Sequence, residues 1–396
     1  MNVVFISPQF PDTYWNWCDR LRKNGATVLG IGDTPSDNLA NEVKASLDEY
    51  YWVPSLEDYD QVFRAVAYYS WKYGKIDWLE SQNEYWLSQD ARLRDDFHIT
   101  TGAGAEQMSI WQSKAQMKPL YAAAGVPTAR QVLVQDPDKV RAFAKEVGFP
   151  LFTKPERGVG AGGAHKIADE AALEKLLDTE LDEPYVLEEY VEGELCSYEA
   201  IVNSKGEVLF ENQSEFPPSI AATVEFMLDV AYHACPGVAP NLAAAGKATI
   251  KAFGITRRFV HMEFFRLTAD KPGLGKKGDY VGLEVNVRAP GGYTPDFINF
   301  AHSADVYQIW ADMVTTDTTT HGSNGECYYG TYACRRDCHS YVHTHQEIMD
   351  AFGGIICMQG RMPDVLSDDL GNDFYVARAK NLEERNAFVD FIQLQA

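Results

Sequence analysis

The sequence has few basic residues, and this shortage narrows the kinds of partner that the protein can bind. It contains 35 lysines and arginines against 57 aspartates and glutamates, which gives a formal net charge of −22 over 396 residues. Nonspecific binding to nucleic acid or to an anionic membrane needs a cationic surface. We therefore expect neither nucleic acid nor membrane as a partner, although a small cationic pocket for phosphate groups is compatible with this charge.

Long apolar runs, a basic N-terminal leader and a disulfide framework are also missing. No stretch approaches the roughly 20 apolar residues of a membrane span, and the N-terminus enters a strand-like segment without a basic region. The seven cysteines are odd in number and scattered, which favours reduced thiols. We therefore expect a cytoplasmic protein. Its 45% hydrophobic and 23% charged content is typical of a globular chain of two or three domains.

The first hundred residues alternate short apolar runs with amphipathic stretches. Such alternation predicts a doubly wound parallel α/β domain, which we place at 1–105. No G-x-G-x-x-G motif follows its first strand, so the pattern indicates architecture alone. Glu80, Asn83 and Glu84 follow a strand end, where open α/β sheets often contact ligands. Substrate contact and an ordinary polar loop are both open for these residues.

Two strand-like segments, 258–266 and 280–288, are joined by a loop rich in glycine and proline and predict a hairpin. If Glu263 lies opposite Glu284, then Leu267 lies opposite Tyr280, and both carboxylates face the same way. Asn286 and Arg288 then share the face of Glu284. Two carboxylates and an amide oxygen suit a hard divalent ion such as Mg²⁺. A solvated sheet face is the alternative.

A glycine-rich stretch follows the predicted strand 151–154, which ends at Lys154. Backbone N–H groups in such a loop can approach a phosphate closely. The loop leads to another strand rather than to a helix, which argues against a dinucleotide motif, and a purely structural hairpin is the alternative. Upstream, Lys114 lies in a predicted helix over 106–124, closed by Gly125-Val126-Pro127.

Taken together, the order and spacing of these motifs resemble the ATP-grasp superfamily, in its biotin-carboxylase-like and carboxylate–amine-ligase branch. The resemblance is close over residues 100–305. It implies catalytic roles for Arg288 and Lys154 and a magnesium site at Glu263, Glu284 and Asn286. It also implies contacts to ATP, from phosphates through adenine to ribose, by Lys114, Lys154, Gly158, Gly160, Gly162, Gly163, Glu188, Glu189, Tyr190, Val191 and Glu194.

The resemblance further implies a fold and an activity. An ATP-grasp domain of two α+β subdomains would span 106–305, with its lid subdomain at about 128–212, and a small α+β portion would span 306–396. The implied enzyme is a ligase that forms a C–N bond between a carboxylic acid and an amine through an acyl phosphate. It would use ATP and Mg²⁺, or Mn²⁺ as an alternative, and act on small molecules, with a homodimer left open.

Two alternatives to this ligase stay open. One is a bicarbonate-activating carboxylase of the same superfamily. The segment Arg288-Ala-Pro-Gly-Gly-Tyr293 lacks the glutamate and histidine that follow this arginine in biotin carboxylases, and this departure favours the ligase. The other alternative is a regulatory protein that binds nucleotide or metal without catalysis.

The C-terminal third offers two further candidate sites. Arg335 and Arg336 lie on a predicted strand, where they could hold a substrate carboxylate; a surface ion pair is the alternative. Cysteine and histidine cluster nearby in sequence without the spacing of a standard zinc finger, so a zinc site and simple packing are both open. The residues concerned are Cys334, Cys338, His339, His343 and His345.

Overall fold

The computed structural model describes residues 1–158, 163–217 and 227–396. Gly160 and Gly162, two glycines of the predicted phosphate loop, lie outside these residues. Within the described ranges, no helix combines the length and the apolar character that crossing a membrane requires.

The first sheet is parallel, as the alternating pattern predicts. Its strands, in the spatial order β3-β2-β1-β4, are β1 (Asn2–Ile6), β2 (Thr27–Gly32), β3 (Glu49–Trp52) and β4 (Trp78–Glu80). The connecting helices are α1 (Trp15–Lys23), α2 (Asn41–Ser46), α3 (Tyr59–Tyr73) and α4 (Leu87–Asp96), with 3₁₀ turns at Ser36–Asn38 and Glu84–Trp86. The edge strand β3 is not among the predicted strands, because its partly exposed residues lack an apolar alternation.

The predicted single helix over 106–124 is wrong, because the structure has two helices there. They are α5 (Ala105–Trp111) and α6 (Lys114–Ala124). The break falls at Ser113, whose hydroxyl accepts a hydrogen bond from the N–H of Gln116 and so begins a new helix. The predicted end is right: Gly125 has φ +69°, a left-handed cap that glycine adopts without strain.

A small antiparallel sheet follows, with the strand order β5-β8-β6-β7. Its strands are β5 (Gln131–Leu133), β6 (Leu151–Pro155), β7 (His165–Ile167) and β8 (Tyr185–Glu189). Helices α7 (Pro137–Val147) and α8 (Glu170–Leu177) pack on one face through a core that includes Val140, Leu151 and Leu173. This unit carries Lys154 at the end of β6 and the predicted adenine contacts at the end of β8.

The largest sheet is antiparallel and has the order β13-β12-β9-β10-β11-β14-β16-β15. Its strands are β9 (Gly193–Val202), β10 (Val208–Glu215), β11 (Ala231–Ala234), β12 (Arg258–Leu267), β13 (Tyr280–Asn286), β14 (Tyr329–Arg335), β15 (Ile356–Arg361) and β16 (Asp373–Ala379). The helices of this region are α9 (Pro240–Phe253), α10 (Thr294–His302), α11 (Val306–Thr316), α12 (His345–Phe352), α13 (Asp364–Leu370) and α14 (Leu382–Gln393). Residues 306–396 therefore contribute three strands to the sheet that carries the acidic hairpin. The predicted domain boundaries stay a prediction.

An aromatic core joins the first sheet to the large one. The indole of Trp17 on α1 packs edge-on against Tyr307 and Trp310 of α11 and against Phe259 of β12, with ring centroids 4.4–6.0 Å apart. Such pairs add to the stabilisation that burial provides. Beside this core, Glu80 at the carboxyl end of β4 pairs with Arg258 of β12, so the end of β4 lies next to the strand that carries Glu263.

Candidate active site

The acidic hairpin brings two carboxylates face to face. Glu263 on β12 is opposite Glu284 on β13, and the next pair on this face of the sheet is His261 opposite Asn286. The three predicted metal ligands therefore lie together on one face. About a quarter of each glutamate side chain is exposed, and Asn286 is buried.

The predicted register is right at the carboxylates and wrong beyond them. A β-bulge follows the Glu263–Glu284 pair, so Phe264 is opposite Gly282 and Tyr280 is opposite Arg266 rather than Leu267. A bulge inserts an extra residue into one strand and increases the local twist. Alternation of side chains alone does not reveal such an insertion.

The two facing carboxylates have pKa shifts of opposite sign. Burial and the charge of Glu263 raise the pKa of Glu284, against the attraction of Lys114. Burial also opposes ionisation of Glu263, but the His261 imidazole, whose Nε2 lies 3.5 Å from Oε1, holds the pKa of Glu263 below its usual range. Mutual repulsion of two half-buried carboxylates is relieved by a bound cation. Together with Asn286, this all-oxygen set fits a hard divalent ion.

Lysines from two elements border the carboxylates. Lys114 is the first residue of α6, where its N–H donates to the carbonyl of Glu156 and its Nζ lies 3.8 Å from Glu284 Oε2. Lys154 is the penultimate residue of β6, and its Nζ lies 2.8 Å from Glu188 Oε2. Burial lowers the pKa of Lys154, but the charges of Glu188, Glu284 and Glu263 reverse that effect and raise it.

The sequence reasoning missed Lys118, which completes this cationic group. Its Nζ lies 2.7 Å from Glu188 Oε1, so the Glu188 carboxylate is held between two ammonium groups. Burial raises the pKa of Glu188, but Lys154 and Lys118 outweigh burial and hold it at about 2. Burial lowers the pKa of Lys118 in spite of Glu188. The signal that could have found Lys118 is its spacing of four from Lys114, which places both on one helix face.

The predicted adenine segment links the small sheet to the large one. Glu188 faces the lysines, and the next side chain, Glu189, faces away and binds Arg130 through two nitrogens. The carbonyl of Tyr190 accepts from Lys271, and Val191 is buried. The segment from Glu188 to Val191 thus connects β8 of the small sheet to β9 of the large sheet. Further along, Glu194 forms an ion pair at 2.6 Å with Arg266.

One described end of the glycine loop, at Gly158, borders the acidic hairpin. Gly158 and Gly163 have φ of +121° and +75°, which other residues rarely adopt. A Cβ on Gly163 would also lie 2.6 Å from the Tyr185 hydroxyl. Gly158 and Arg157 line a cavity of about 160 Å³ together with Glu284 and other residues. The remaining lining residues are Glu84, Ser88, Trp111, Gln112, Met117 and Asn286.

Arg288 follows β13 and meets the first domain. Its Nε donates to Glu84 Oε2 at 2.9 Å, and its Nη1 donates to the carbonyl of Ala289. Of the three polar residues predicted after β4, Glu84 thus lies at the site. Glu80 instead pairs with the guanidinium of Arg258, and both are 1% exposed, while Asn83 caps the following 3₁₀ turn.

A buried polar network lies behind the face that carries Glu263 and Glu284, and sequence reasoning missed it. Glu199 on β9 has no exposed surface. It lies 2.8 Å from His261 Nδ1 and accepts from the Asn212 amide at 2.7 Å. The other nitrogen of His261 points at Glu263. The signal that could have revealed this network is the alternation of polar residues, because Ser197 and Glu199 on β9 share a face with Glu263 on the paired strand β12.

The two C-terminal arginines make structural contacts. Arg335 donates to the carbonyls of Ile392 and His343, and Arg336 donates to those of Leu228, Ser367 and Asp368. The suggested substrate role of both arginines is therefore unsupported, because buried guanidiniums are used here to satisfy backbone oxygens.

The suggested zinc cluster does not form. Cys334 is buried, and its sulfur accepts from the N–H of Val230. His343 stacks on Phe391 with centroids 3.6 Å apart. The remaining members also have other neighbours: His339 binds Asp229, His345 binds Tyr375, and Cys338 is exposed. Proximity in sequence did not become proximity of ligand atoms.

Comparison with curated proteins finds D-alanine–D-alanine ligases. The chain is 33% identical to the enzyme of Nitrosospira multiformis over 95 residues, which is 24% of this chain and 31% of that protein. It is 27% identical to the enzyme of Streptomyces avermitilis over 220 residues, 49% of this chain and 53% of that protein. The chain thus aligns with about a third to a half of the length of these relatives. No family model matches it.

Solved structures match nearly the whole chain. An L-amino acid ligase from Bacillus licheniformis superposes with a TM-score of 0.71 at 14% identity, covering 98% of this chain and 95% of that one. The biotin carboxylase domain of a 2-oxoglutarate carboxylase from Hydrogenobacter thermophilus, solved with MgADP, ADP and bicarbonate, gives 0.66 at 16% identity and covers 100% and 90%. The chain has the ATP-grasp fold, which confirms the predicted fold class.

Proposed function

We propose that this chain, with its ATP-grasp fold, is an ATP-dependent ligase that joins a carboxylic acid to an amine and releases ADP and phosphate. The observation that carries the proposal is the pairing of Glu263 with Glu284 beside Asn286, within reach of the charges of Lys114 and Lys154. The facing carboxylates would bind a divalent cation, and the buried lysines beside them would bind the phosphates of a nucleoside triphosphate. The names of the ligases among the relatives support the same reaction class.

The metal of this site would be held by Glu263, Glu284 and Asn286. Their oxygens form the donor set that Mg²⁺ prefers, and Mn²⁺ accepts similar ligands. The raised pKa of Glu284 beside Glu263 supports the fit, because a cation relieves that repulsion. When bound, Mg²⁺ neutralises charge on phosphate oxygens. The biotin carboxylase domain of similar fold was solved with MgADP, which is consistent with this assignment.

ATP would lie between the small antiparallel sheet, which carries Lys154, and the large sheet, which carries Glu263 and Glu284. Lys154 and Lys114 would contact its phosphates, and the backbone of Glu188, Glu189, Tyr190 and Val191 would contact adenine. Glu194 would contact ribose after releasing Arg266. Gly158 and Gly163 begin and end the loop that would cover the phosphates, together with Gly160 and Gly162 outside the described residues.

The proposed chemistry has two steps. A carboxylate oxygen of the acid attacks the γ-phosphorus, and the bond from that phosphorus to the bridging oxygen of ADP breaks. The amine nitrogen then attacks the acyl carbon, phosphate leaves, and the nitrogen loses a proton to solvent. The protein would contribute positioning and charge: Lys114, Lys154 and Arg288 stabilise the charge that spreads over the phosphoryl oxygens. A covered site also protects an acyl phosphate from water.

The conditions under which phosphate is released distinguish the proposed ligase from two alternatives, a carboxylase and a regulatory protein. The carboxylase among the solved relatives was crystallised with bicarbonate, so bicarbonate-dependent release without an amine would favour a carboxylase. Nucleotide binding without release would favour a regulatory protein. The ligase releases ADP and phosphate only when an acid and an amine are both present.

The test is a pairwise screen of amino acids and short peptides with ATP and Mg²⁺, read by phosphate release and by mass spectrometry of the product. The matched control is Glu284→Gln, which keeps the size of the side chain and removes its charge. Phosphate release that survives in Glu284→Gln would refute the assignment of the site. A homodimer stays a prediction, which light scattering tests.

A further inference from the structure

A second polar cluster lies on the opposite face of the large sheet from the proposed ATP site. Ser214 on β10 pairs with Ser197 on β9, and Ser197 pairs with Glu263 on β12, so these side chains share the ATP face. Glu215 is the next residue after Ser214 and therefore faces the other way. His233 on β11 is directly opposite Glu215 and shares its face.

Three potential metal ligands converge there. One ligand atom each from Glu215, His233 and Cys235 lie within 4.8 Å of one another. An ion at the centre of a triangle of that size is at most about 2.8 Å from each atom (4.8 Å divided by √3). Zinc bonds to these atom types are about 2.0–2.3 Å long. A movement of at most about 0.5–0.8 Å per side chain would therefore complete coordination.

A second observation, independent of the ligand distances, also indicates a bound ligand: in the described part of the chain, His233 is buried without hydrogen-bond partners. The side chain is 2% exposed, and within the described ranges neither of its ring nitrogens has a hydrogen-bond partner. Buried polar atoms in proteins are almost always paired. The ring is aimed at Glu215, with Nε2 3.8 Å from Oε2. A buried ring with two unpaired nitrogens beside a carboxylate and a thiol is the environment that a metal ion would complete.

We propose that Glu215, His233 and Cys235 form a binding site for a borderline-soft divalent transition metal, zinc in the first place, separate from the magnesium site. One oxygen, one nitrogen and one sulfur ligand match the preferences of zinc rather than those of magnesium. Cys196, opposite Glu215 on β9, lies on the same face but outside this group of three ligand atoms, so water would complete the coordination.

Charge balance limits how this site can bind. Arg266 donates to the Glu215 Oε1 atom, and Arg385 lies near enough to His233 and Cys235 to influence their ionisation. A dication beside these guanidiniums requires the Cys235 thiolate as well as the Glu215 carboxylate. Binding therefore breaks the S–H bond, forms the sulfur–metal bond and releases one proton to solvent.

The test uses the full chain, stripped of metal with a chelator and titrated with Co²⁺ and Zn²⁺. We expect one tightly held equivalent and a near-ultraviolet absorption band from thiolate-to-cobalt charge transfer. Cys235→Ser should abolish the band, and His233→Asn should weaken Zn²⁺ binding at least tenfold. Cys357→Ser, which changes an exposed cysteine on β15, is the matched control and should leave both unchanged.

A second measurement needs no variant and so does not depend on the folding of Cys235→Ser. Cys235 is buried, so alkylation of the wild-type chain is followed in mild denaturant that opens it transiently; bound Zn²⁺ should slow alkylation of Cys235, as read by mass spectrometry, while the exposed Cys338 and Cys357 react at the same rate with and without metal. Absence of the cobalt band in folded wild-type protein, or a band that is lost in Cys357→Ser instead, would overturn the proposal. Neither result bears on phosphate release from ATP, so the proposed ligase activity stands or falls separately.

Discussion

The clearest energetic prediction concerns the carboxylate of Glu188, which lies between the Lys118 and Lys154 ammonium groups. Glu188→Gln keeps the shape of the side chain and removes its charge, so two buried lysines, 16% and 9% exposed, lose their shared partner. Breaking a buried ion pair from one side costs about 3–5 kcal/mol of stability. The depression of the Glu188 pKa from 4.5 to about 2 corresponds to about 3 kcal/mol, a consistent magnitude.

The pH dependence gives the sign of the effect. Because folding lowers the Glu188 pKa, the contribution of the ionised carboxylate is present above pH 4.5 and is lost as the pH falls toward 2. The stability gap between wild type and Glu188→Gln should therefore be widest near neutrality and close below pH 4.5. Chemical denaturation at a series of pH values measures this gap directly.

Ligand and control measurements sharpen the test. ATP phosphates near the lysines would replace the lost carboxylate charge, so saturating Mg-ATP should stabilise Glu188→Gln by more than it stabilises wild type. The matched control is Glu174→Gln, because the Glu174 side chain is 40% exposed in its ion pair with Arg141 and lies outside the proposed ATP site. Exposed pairs contribute about 0–1 kcal/mol. The reasoning is refuted if Glu188→Gln unfolds at the same denaturant concentration as wild type at pH 7.

Three further predictions follow from the site and its surroundings. Glu284→Gln should lower turnover at least about 100-fold with no loss of melting temperature, because a neutral amide removes the repulsion that raises the Glu284 pKa; a drop in melting temperature with normal turnover would contradict this. Lys154→Ala should mainly raise the KM for ATP, and an unchanged KM in steady-state assays would show that the phosphates lie elsewhere. Arg336→Ala should cost about 1–3 kcal/mol of stability and leave KM values unchanged, because Arg336 donates to three backbone carbonyls; altered substrate KM in a stably folded variant would restore its suggested substrate role.

Much of the fold could be predicted because its signals are local. The helix over 137–147 begins at a proline with an aspartate cap and ends at Gly148, and the structure has these bounds. The pairing of Glu263 with Glu284 could be predicted because side-chain alternation and the turn fix the face of each strand. The bulge beyond that pair was not predictable, since the extra residue changes no residue type.

The parts of the site that could not be predicted depend on contacts between segments that are distant in sequence. Lys118 becomes notable only when β8 brings Glu188 against α6, 70 residues away in sequence. Arg335 and Arg336 have the residue types of a carboxylate site, yet all of their carbonyl partners except His343 lie 31 to 108 residues away. Whether a buried arginine binds a substrate carboxylate or backbone carbonyls depends on which carbonyl oxygens the tertiary structure leaves without other partners.

The shared eight-stranded sheet has a consequence for anyone who wishes to dissect the protein. Cutting the chain after residue 305 would remove β14 and bare the hydrogen-bonding edge of β11. An uncovered edge of this kind invites pairing with neighbouring molecules. The portion proposed to bind nucleotide should therefore not be transferred alone, and chimeras should exchange the last ninety residues together with the strands that they pair with.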